Sequence, residues 1–255
     1  MFAIPLTDDA ELRPLEVWQA EEFFAHIERA REQVNRWIGF AAASPDLPGA
    51  RATLQRYADK QAADTGRIFG IWHQDTLVGG CMYPHFDAER GTCEIGVWTE
   101  PAGQGRGLIT AAVRLLLDHA LIERGLVRAE WHCDPRNERS WTVAKRVGMT
   151  AEGILRSSFP YNGERQDMQI WGILRDEWLE LRETQAQTQR TSSTPRTSSV
   201  ESRGRSGGDR QAAADRSGTR SDAFSGYSSG SRERSASSRG GGSRGGRSGG
   251  GGRRR

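Results

Sequence analysis

Residues 91–123 constrain this chain more than any other stretch. GTCEIGVWT, entered from a turn at residues 87–90, has the β-branched and aromatic content of a strand. PAGQGRG follows at once, and then a helix over residues 108–123 with Leu108, Ile109, Ala112, Val113, Leu116, Leu117, Ala120 and Leu121 on one face, ended by Gly125. A strand that passes through a glycine loop into a one-faced helix needs a sheet beneath that helix, which places the chain among the α/β folds. The loop itself suits an anion. Its glycines leave the N–H groups of Gln104 through Leu108 free, and the helix adds the positive end of its dipole. Gly105 and Gly107 let the main chain approach a pyrophosphate with no Cβ in the way. An ordinary strand-to-helix turn has much the same look. The Lys-Ser/Thr pair of a P-loop is missing, and the GxG falls too late for a G-x-G-x-x-G fingerprint. The ligand expected here carries phosphate but is not a nucleotide held by its β,γ-phosphates.

Periodicity supplies the other elements. Residues 11–15 read as an opening strand. Phe23, Phe24, Ile27, Val34, Trp37 and Ile38 predict a helix over residues 17–40, broken by Pro45 and Pro48. A second helix is expected over residues 49–63, with Leu54 and Tyr57 facing inward. Residues 67–74 and 76–86 read as strands joined at Asp75, and residues 127–133 as another. Asn137 can cap a helix that runs to Val147 and stops at Gly148. Residues 150–161 and 166–175 form a hairpin around Asn162-Gly163. The order β, α, α, β, β, β, α, β, α, β, β is a mixed α/β fold.

Near Glu183 the composition changes. Over residues 184–255 only Val200, Phe224 and Tyr227 are large aliphatic or aromatic residues, too few to offset an ordering cost of roughly 1–2 kcal/mol per residue. One domain over residues 1–183 and a disordered Arg/Gly/Ser-rich tail over residues 184–255 are therefore expected. The net charge of +3 divides the same way: the tail holds fifteen arginines against five acids, a net +10, and the body 21 basic residues against 28 acids, a net −7. An acidic body favours cationic acceptors, and a basic tail favours RNA or the ribosome, with binding that weakens as salt rises; its alternative is a solubilising segment with no specific partner. Cys81, Cys93 and Cys133 have no CxxC spacing, so a reduced, cytoplasmic setting is expected. No apolar run approaches 18 residues and no signal peptide is recognisable, so no membrane association is expected.

EIGVWTEPAGQGRGLITAAVRLLLDHA resembles the acetyl-CoA-binding region of the GNAT N-acetyltransferases, and NERSWTVAKRVGM resembles their fourth helix with its N-x-x-S start. The chain is most similar to the ribosomal-protein N-terminal acetyltransferases of the RimJ/RimL type, over residues 12–174. Ala102 departs from the Gln or Arg that often opens the superfamily loop. The resemblance implies a central twisted mixed sheet flanked by helices, acetyl-CoA as co-substrate, and no metal. It further implies that the strand at Val97 and Trp98 bonds the pantetheine arm, and that Gln104, Gly105, Arg106, Gly107, Leu108 and Ile109 hold the pyrophosphate. Asn137 would lie against the pantetheine arm, Ser140 would protonate the leaving thiolate, and Lys145 is a candidate for the 3′-phosphate. Each has a plainer reading: a solvated loop arginine, a helix cap, a helix-surface serine, a solvated lysine.

By the same resemblance an amine attacks the thioester directly, and N–H groups of a splayed strand polarise the carbonyl. The three cysteines are then packing residues. The histidines His26, His73, His85, His119 and His132 show no metal-ligand spacing. Glu94 is the candidate general base, acting through water; its alternative is a partner for a buried arginine. The glutamate that some Rim-type enzymes carry after the fourth helix falls near Phe159 and is absent, and Glu130, Glu152, Tyr161 and Asp167 are lesser candidates. Leaving an α-amine unprotonated at pH 7 costs about 1–1.5 kcal/mol against about 4–5 kcal/mol for a lysine, so a modest base suits a protein N-terminus. The expected acceptor is such an N-terminus, possibly ribosomal. A small-molecule amine (polyamine or aminoglycoside) and an RNA- or ribosome-associated binding protein with a degenerate acetyltransferase fold are the competing readings. Monomer and homodimer both stay open.

Overall fold

The structure, a computed structural model, describes residues 3–192. Eight strands form one sheet in the order β1-β2-β3-β4-β5-β6-β8-β7. β1 (Ile4–Thr7) and β2 (Ala10–Pro14) make an opening hairpin, of which only the second strand is evident in the sequence. β3 (Arg67–His73), β4 (Thr76–Asp87) and β5 (Thr92–Thr99) continue antiparallel, with Gln74 and Asp75 both at positive φ in the β3–β4 turn. β6 (Arg128–Cys133) lies parallel to β5, and β8 (Glu164–Leu174) and β7 (Thr150–Tyr161) close the other edge as an antiparallel hairpin over Asn162 and Gly163.

The β5–β6 pair positions the site. Residues pair across it only at Thr92↔Arg128, Cys93↔Ala129 and Glu94↔Glu130, although both strands run further. Beyond Glu94 the two strands part, and the sheet opens into a V. On its other edge β5 meets an irregularity too: β4 places two residues, Tyr83 and Pro84, opposite Ile95 alone. Pro84 sits where the ladder skips, so its missing N–H breaks no bond.

Helices cover both faces. Phe23 and Ile27 of α1 (Ala20–Asn35) and Leu54 and Tyr57 of α2 (Leu47–Ala62) pack on Leu77, Met82 and Trp98. α3 (Leu108–Leu117), α4 (Glu138–Arg146) and the opening of α5 (Arg175–Ser192) cover the opposite face, where Cys93, Ile95 and Trp131 point. α1 stops earlier than its periodicity suggests. After Asn35 the chain turns back, so that Phe40 packs on Phe23 and Trp98 at ring-centroid distances of 5.8 and 4.8 Å, while Arg31 donates to the carbonyls of Ala41 and Ser44. The prolines do not end α1. Pro48 lies in the first turn of α2, where a proline loses no helical bond, and Asp46 caps that turn through Gly49 N–H at 2.7 Å.

Two departures concern the C-terminal half. The helix after the glycine loop keeps α geometry to Leu117 and then widens into a π turn over Asp118–Glu123. That turn sets Asp118 to accept the indole N–H of Trp178 at 2.9 Å and the Nε of Arg182 at 3.1 Å. Trp178 is fully buried, so α5 is part of the domain, and the helix runs to Ser192, past the boundary expected at Glu183. The tail expected from residue 184 otherwise lies outside the described residues.

A buried polar network ties α1 to the end of β5. His26, fully enclosed, accepts the indole N–H of Trp98 at 3.0 Å, and its Nδ1 lies 3.5 Å from Glu100, which Arg29 engages at 2.8 Å. Burial, aided by the nearby Arg29 charge, pushes the His26 imidazole down to about 3. The unfolded chain gains this proton near pH 6.5 and the folded chain only near 3, so the contribution is complete above 6.5 and is lost as pH falls. Urea unfolding should show about 2 kcal/mol lost to this group between pH 7 and 5. His26→Gln should flatten the pH dependence by that amount, and an unchanged slope would show that another group is responsible.

Candidate active site

A cavity of about 1220 Å³ fills the V between β5 and β6 and continues over the loop before α3. Glu94, Val97, Trp98, Gln104, Gly105, Gly107, Leu108, Ile109, Asn137 and Ser140 all line it. Arg106, also expected at the site, does not: its exposed guanidinium folds back onto the Ala102 carbonyl at 3.3 Å. Lys145 is exposed and also lies outside the cavity wall. Arg139 and Arg146 line the cavity instead, Arg139 bonding Gln104 Oε1 at 2.8 Å and Arg146 reaching Thr110 Oγ1 at 3.5 Å. Both come from α4, and nothing in their spacing announces it.

The loop behaves as its glycines suggest, with one correction. Gly105 and Gly107 take φ of +75° and +77°, and Gly107 is the residue from which α3 starts. The Gln104 N–H, expected to be free, is spent on the Pro101 carbonyl at 3.1 Å, because residues 101–103 form a 3-10 turn. The N–H groups of residues 105–110 find no acceptor among the described residues, and the first helical bond from this region is Ala111 N–H to the Gly107 carbonyl at 3.0 Å. Six successive main-chain donors at a helix N-terminus, with two arginines beside them, form an anion-binding cradle.

The two faces of the V carry different chemistry. On the α3–α4 side, Asn137 caps α4 through Ser140 N–H at 3.3 Å and thereby sets the first turn from which Ser140 faces the cavity. The Trp131 indole donates to Ser140 Oγ at 2.9 Å, and the Ser140 hydroxyl hydrogen can turn toward Cys133 or toward the cavity. The main chain of Trp98 borders the V, while its indole is committed to His26 on the other face.

On the α1–α2 side, Glu94 is about one-quarter exposed and accepts no hydrogen bond from the described residues. The arginine that could have neutralised it, Arg128, goes to Glu130 at 2.8 Å and to both oxygens of Glu152. His132 stands between the carboxylates, its Nε2 2.9 Å from Glu130 Oε2 and its Nδ1 3.9 Å from Glu94 Oε1. Burial opposes ionisation of Glu130, but Arg128 and His132 together outweigh it and hold its carboxyl below the ordinary range. The lesser carboxylate and tyrosine candidates are engaged outside the cavity wall: Glu130 and Glu152 with Arg128, Asp167 with Ser157 N–H, and Tyr161 with the Asn35 carbonyl. Phe159 lines the wall, as does His132, which the sequence reading passed over except as a possible metal ligand. Arg128, Glu130 and His132 alternate along one face of a short strand, a pattern that a solvated edge shares.

The fold has counterparts. The acetyltransferase (GNAT) domain model matches residues 10–150, and the chain belongs to that family. It is an N-acetyltransferase. A putative ribosomal N-acetyltransferase of Bacillus subtilis, YdaF, is 29% identical over 179 residues, covering 70% of this chain and 98% of the relative. A probable N-acetyltransferase of the same organism, YjcK, is 33% identical over 169 residues, covering 64% of this chain and 92% of the relative. The solved structure of RimL, a ribosomal L7/L12 α-N-protein acetyltransferase in complex with coenzyme A, superposes with a TM-score of 0.65 at 19% identity, covering 69% of this chain and 99% of RimL. Among the described residues no helix is long and apolar enough to cross a membrane, and no cluster of three or more His, Cys, Asp or Glu side chains is placed to hold a metal ion.

All three thiols are buried. Burial pushes Cys93 up to about 12 and Cys133 up to about 11, the latter against an opposing hydrogen bond from Ser140, and raises Cys81 further still. Thiolate is therefore a minute fraction at pH 8, and the thiols should resist alkylation until the fold opens. Iodoacetamide at pH 8 followed by intact-mass measurement should give no adduct on the native chain and three on the urea-unfolded chain. Rapid native labelling of any of the three would contradict their assignment as packing residues.

Proposed function

We propose that this N-acetyltransferase moves the acetyl group of acetyl-CoA onto the N-terminal α-amine of a protein, a ribosomal protein being the first acceptor to test. The observation that carries the reading is the V between β5 and β6, continuous with the unpartnered amides of residues 105–110. The cradle suits a pyrophosphate, and an extended arm running from it along Val97 and Trp98 brings its far end to the apex, where Glu94 and Glu130 pair. Gly105, Gly107, Leu108 and Ile109 hold the phosphates through their main chain, with Arg139 and Arg146 supplying charge and Gln104 packing beside them. Arg106 contributes its N–H rather than its guanidinium. Asn137 flanks the arm while capping α4.

At the apex the acceptor enters from the α1–α2 face, where the Glu94 carboxylate draws in an ammonium and accepts its proton through a bridging water. Ser140 faces the opposite side and donates its hydroxyl hydrogen to the departing sulfur. Uncoupled amides along the parted strand polarise the thioester carbonyl, as oxyanion donors do. A carboxylate that lacks a strong partner is a modest base, which suits an α-amine, whose deprotonation at pH 7 costs only about 1–1.5 kcal/mol. The names carried by YdaF and RimL agree with a ribosomal acceptor. The Arg/Gly/Ser-rich segment beyond Ser192 belongs to this reading as an RNA-contacting arm, with salt-dependent RNA retention as its signature.

The test is the full chain incubated with acetyl-CoA and a panel of N-terminal peptides, polyamines and aminoglycosides, read by intact mass. Acetylation of peptide α-amines is the expected result, and transfer to free amines alone would move the acceptor to the small-molecule class. Glu94→Gln should lower kcat/KM about 10²-fold or more, as loss of acid–base help does. Ser140→Ala should lower kcat about tenfold to 10²-fold while leaving the Kd for acetyl-CoA nearly unchanged. A Ser140→Ala enzyme at full kcat would remove that residue from the reaction.

A further inference from the structure

With Glu94 as the only base, the amine proton would have to pass to a carboxylate. A carboxylate as a class titrates near pH 4 and an α-amine near 8, so direct transfer runs uphill by several pH units, whereas an imidazole as a class lies much closer to the amine. One imidazole is within reach.

We propose that His132, held by Glu130, is the group that takes the proton from the attacking amine, with Glu94 holding the ammonium against it. Three observations support this. His132 lines the cavity at the apex of the V, on the same face as Glu94, because residues 128, 130 and 132 alternate with the buried Ala129, Trp131 and Cys133. Its Nε2 sits 2.9 Å from Glu130 Oε2; a carboxylate can only accept, so the hydrogen is on Nε2 and the lone pair of the neutral ring is on Nδ1. Nδ1 in turn faces Glu94 Oε1 across 3.9 Å, too far for a direct bond and wide enough for one amine nitrogen or one water to reach both. Glu130 cannot swing away, because Arg128 grips it and is itself anchored on Glu152. Ring orientation, tautomer and the support for a positive charge are all in place before any substrate arrives.

The charged surroundings favour the same assignment. Glu94 comes from β5, and His85, opposite Glu94 on β4, also lines the cavity. Glu130 and Arg128 come from β6 itself, and Glu152 comes from β7 through Arg128. β8 sets the uncharged Ile170 opposite His132. A protonated His132 thus lies between two carboxylates, and the nearest cation, Arg128, is already neutralised by two acids.

The step balances. An entering ammonium loses one proton to Nδ1 of His132, which frees the nitrogen lone pair to form the N–C bond. The C–S bond then breaks with its electron pair on sulfur, whose negative charge the Ser140 hydroxyl meets. The nitrogen loses a second proton as the amide forms. One of the two protons ends on the thiol, the other passes to solvent, and His132 returns neutral.

This inference rests on the acetyl-transfer reading, and the experiment separates the two. Wild type, His132→Gln, Glu130→Gln and Glu94→Gln, all as full chains, are assayed against the best acceptor of the panel over pH 5.5–9.5. Melting temperature and acetyl-CoA Kd are measured alongside. His132→Gln is expected to keep both within narrow limits, to lose about 10²–10³-fold in kcat, and to shift its low-pH limb up to the amine's own ionisation near 8. Glu130→Gln should lose about tenfold in kcat, since the imidazole ring loses the carboxylate that fixes its orientation and tautomer. Imidazole added to His132→Ala should restore part of the rate. Independently of turnover, ¹H–¹⁵N NMR of the free protein should show His132 as the Nε2–H tautomer, and Glu130→Gln should abolish that preference. A folded His132→Gln enzyme with wild-type kcat and an unmoved limb overturns the proposal while leaving acetyl transfer intact. An Nδ1–H tautomer in the wild type also overturns it. A wild-type protein that acetylates no amine in the panel defeats the underlying reading instead.

Discussion

Two strands that pair at three positions and then separate leave main-chain donors and acceptors without a protein partner, in a part of the molecule where helices on both faces limit access to water. An unsatisfied buried N–H or C=O costs on the order of 1–3 kcal/mol, so a fold keeps such a row only where something else satisfies it. In this chain the parting of β5 and β6 at Glu94 and Glu130 is enforced from several sides. β6 is held in register by β8 from Arg128 to Cys133, and β5 is held by β4 on its other edge, so neither strand can drift back to close the gap. The indole of Trp98 is fixed to the His26–Glu100–Arg29 network, which pins the open end of β5 to α1. The cavity, the row of amides beyond it and the placement of Ser140, Glu94 and His132 on its walls all depend on that separation.

The cradle shows how little chemistry the loop's side chains carry. Its donors are amides, its shape comes from two residues at positive φ, and the positive charge is brought by α4 from a distant part of the sequence. Alanine at Gly105 or Gly107 would meet no protein atom within 4 Å, so the protein's own packing is not what requires glycine there. The left-handed backbone is, and a Cβ costs about 1–2 kcal/mol in that conformation. Arg106, the loop's one cation, turns out to be the residue with the weakest claim on the ligand.

Most of the sheet and the loop-to-helix unit were legible because their signals are local: alternation, Asn-Gly at a hairpin, glycines before an apolar helix face. What was missed depends on tertiary contact. β1 is four residues long and exists by pairing with β2. α5 reads as a polar stretch until Trp178 and Asp118 meet, and that meeting depends on a π turn no periodicity reveals. α1 ends early because Phe40 gains more by folding onto Phe23 and Trp98 than by extending a helix into solvent. At the site, the glycine loop, Glu94, Asn137 and Ser140 could be placed by family pattern. His132 could not, since a histidine alternating with a glutamate on a strand looks like a solvated edge until β5 supplies the second carboxylate.

Strand alternation also explains why acid and base do not meet. Odd-numbered residues of β6 face α3 and α4, and Trp131 among them holds Ser140; even-numbered residues face α1 and α2, and His132 among them faces Glu94. On the proposed reading, the proton donor for the sulfur and the proton acceptor for the nitrogen are thereby presented from opposite sides of one slit, through neighbouring residues of the strand. Had both stood on one face, the imidazole and the hydroxyl could have bonded each other and neither would have been available to substrate. The backbone keeps them apart through the pleat alone, while the opening between the strands lets a thioester reach both. The proposed acceptor route from the α1–α2 face follows, because the other side of the slit is filled by Trp131, Ser140 and the first turn of α4.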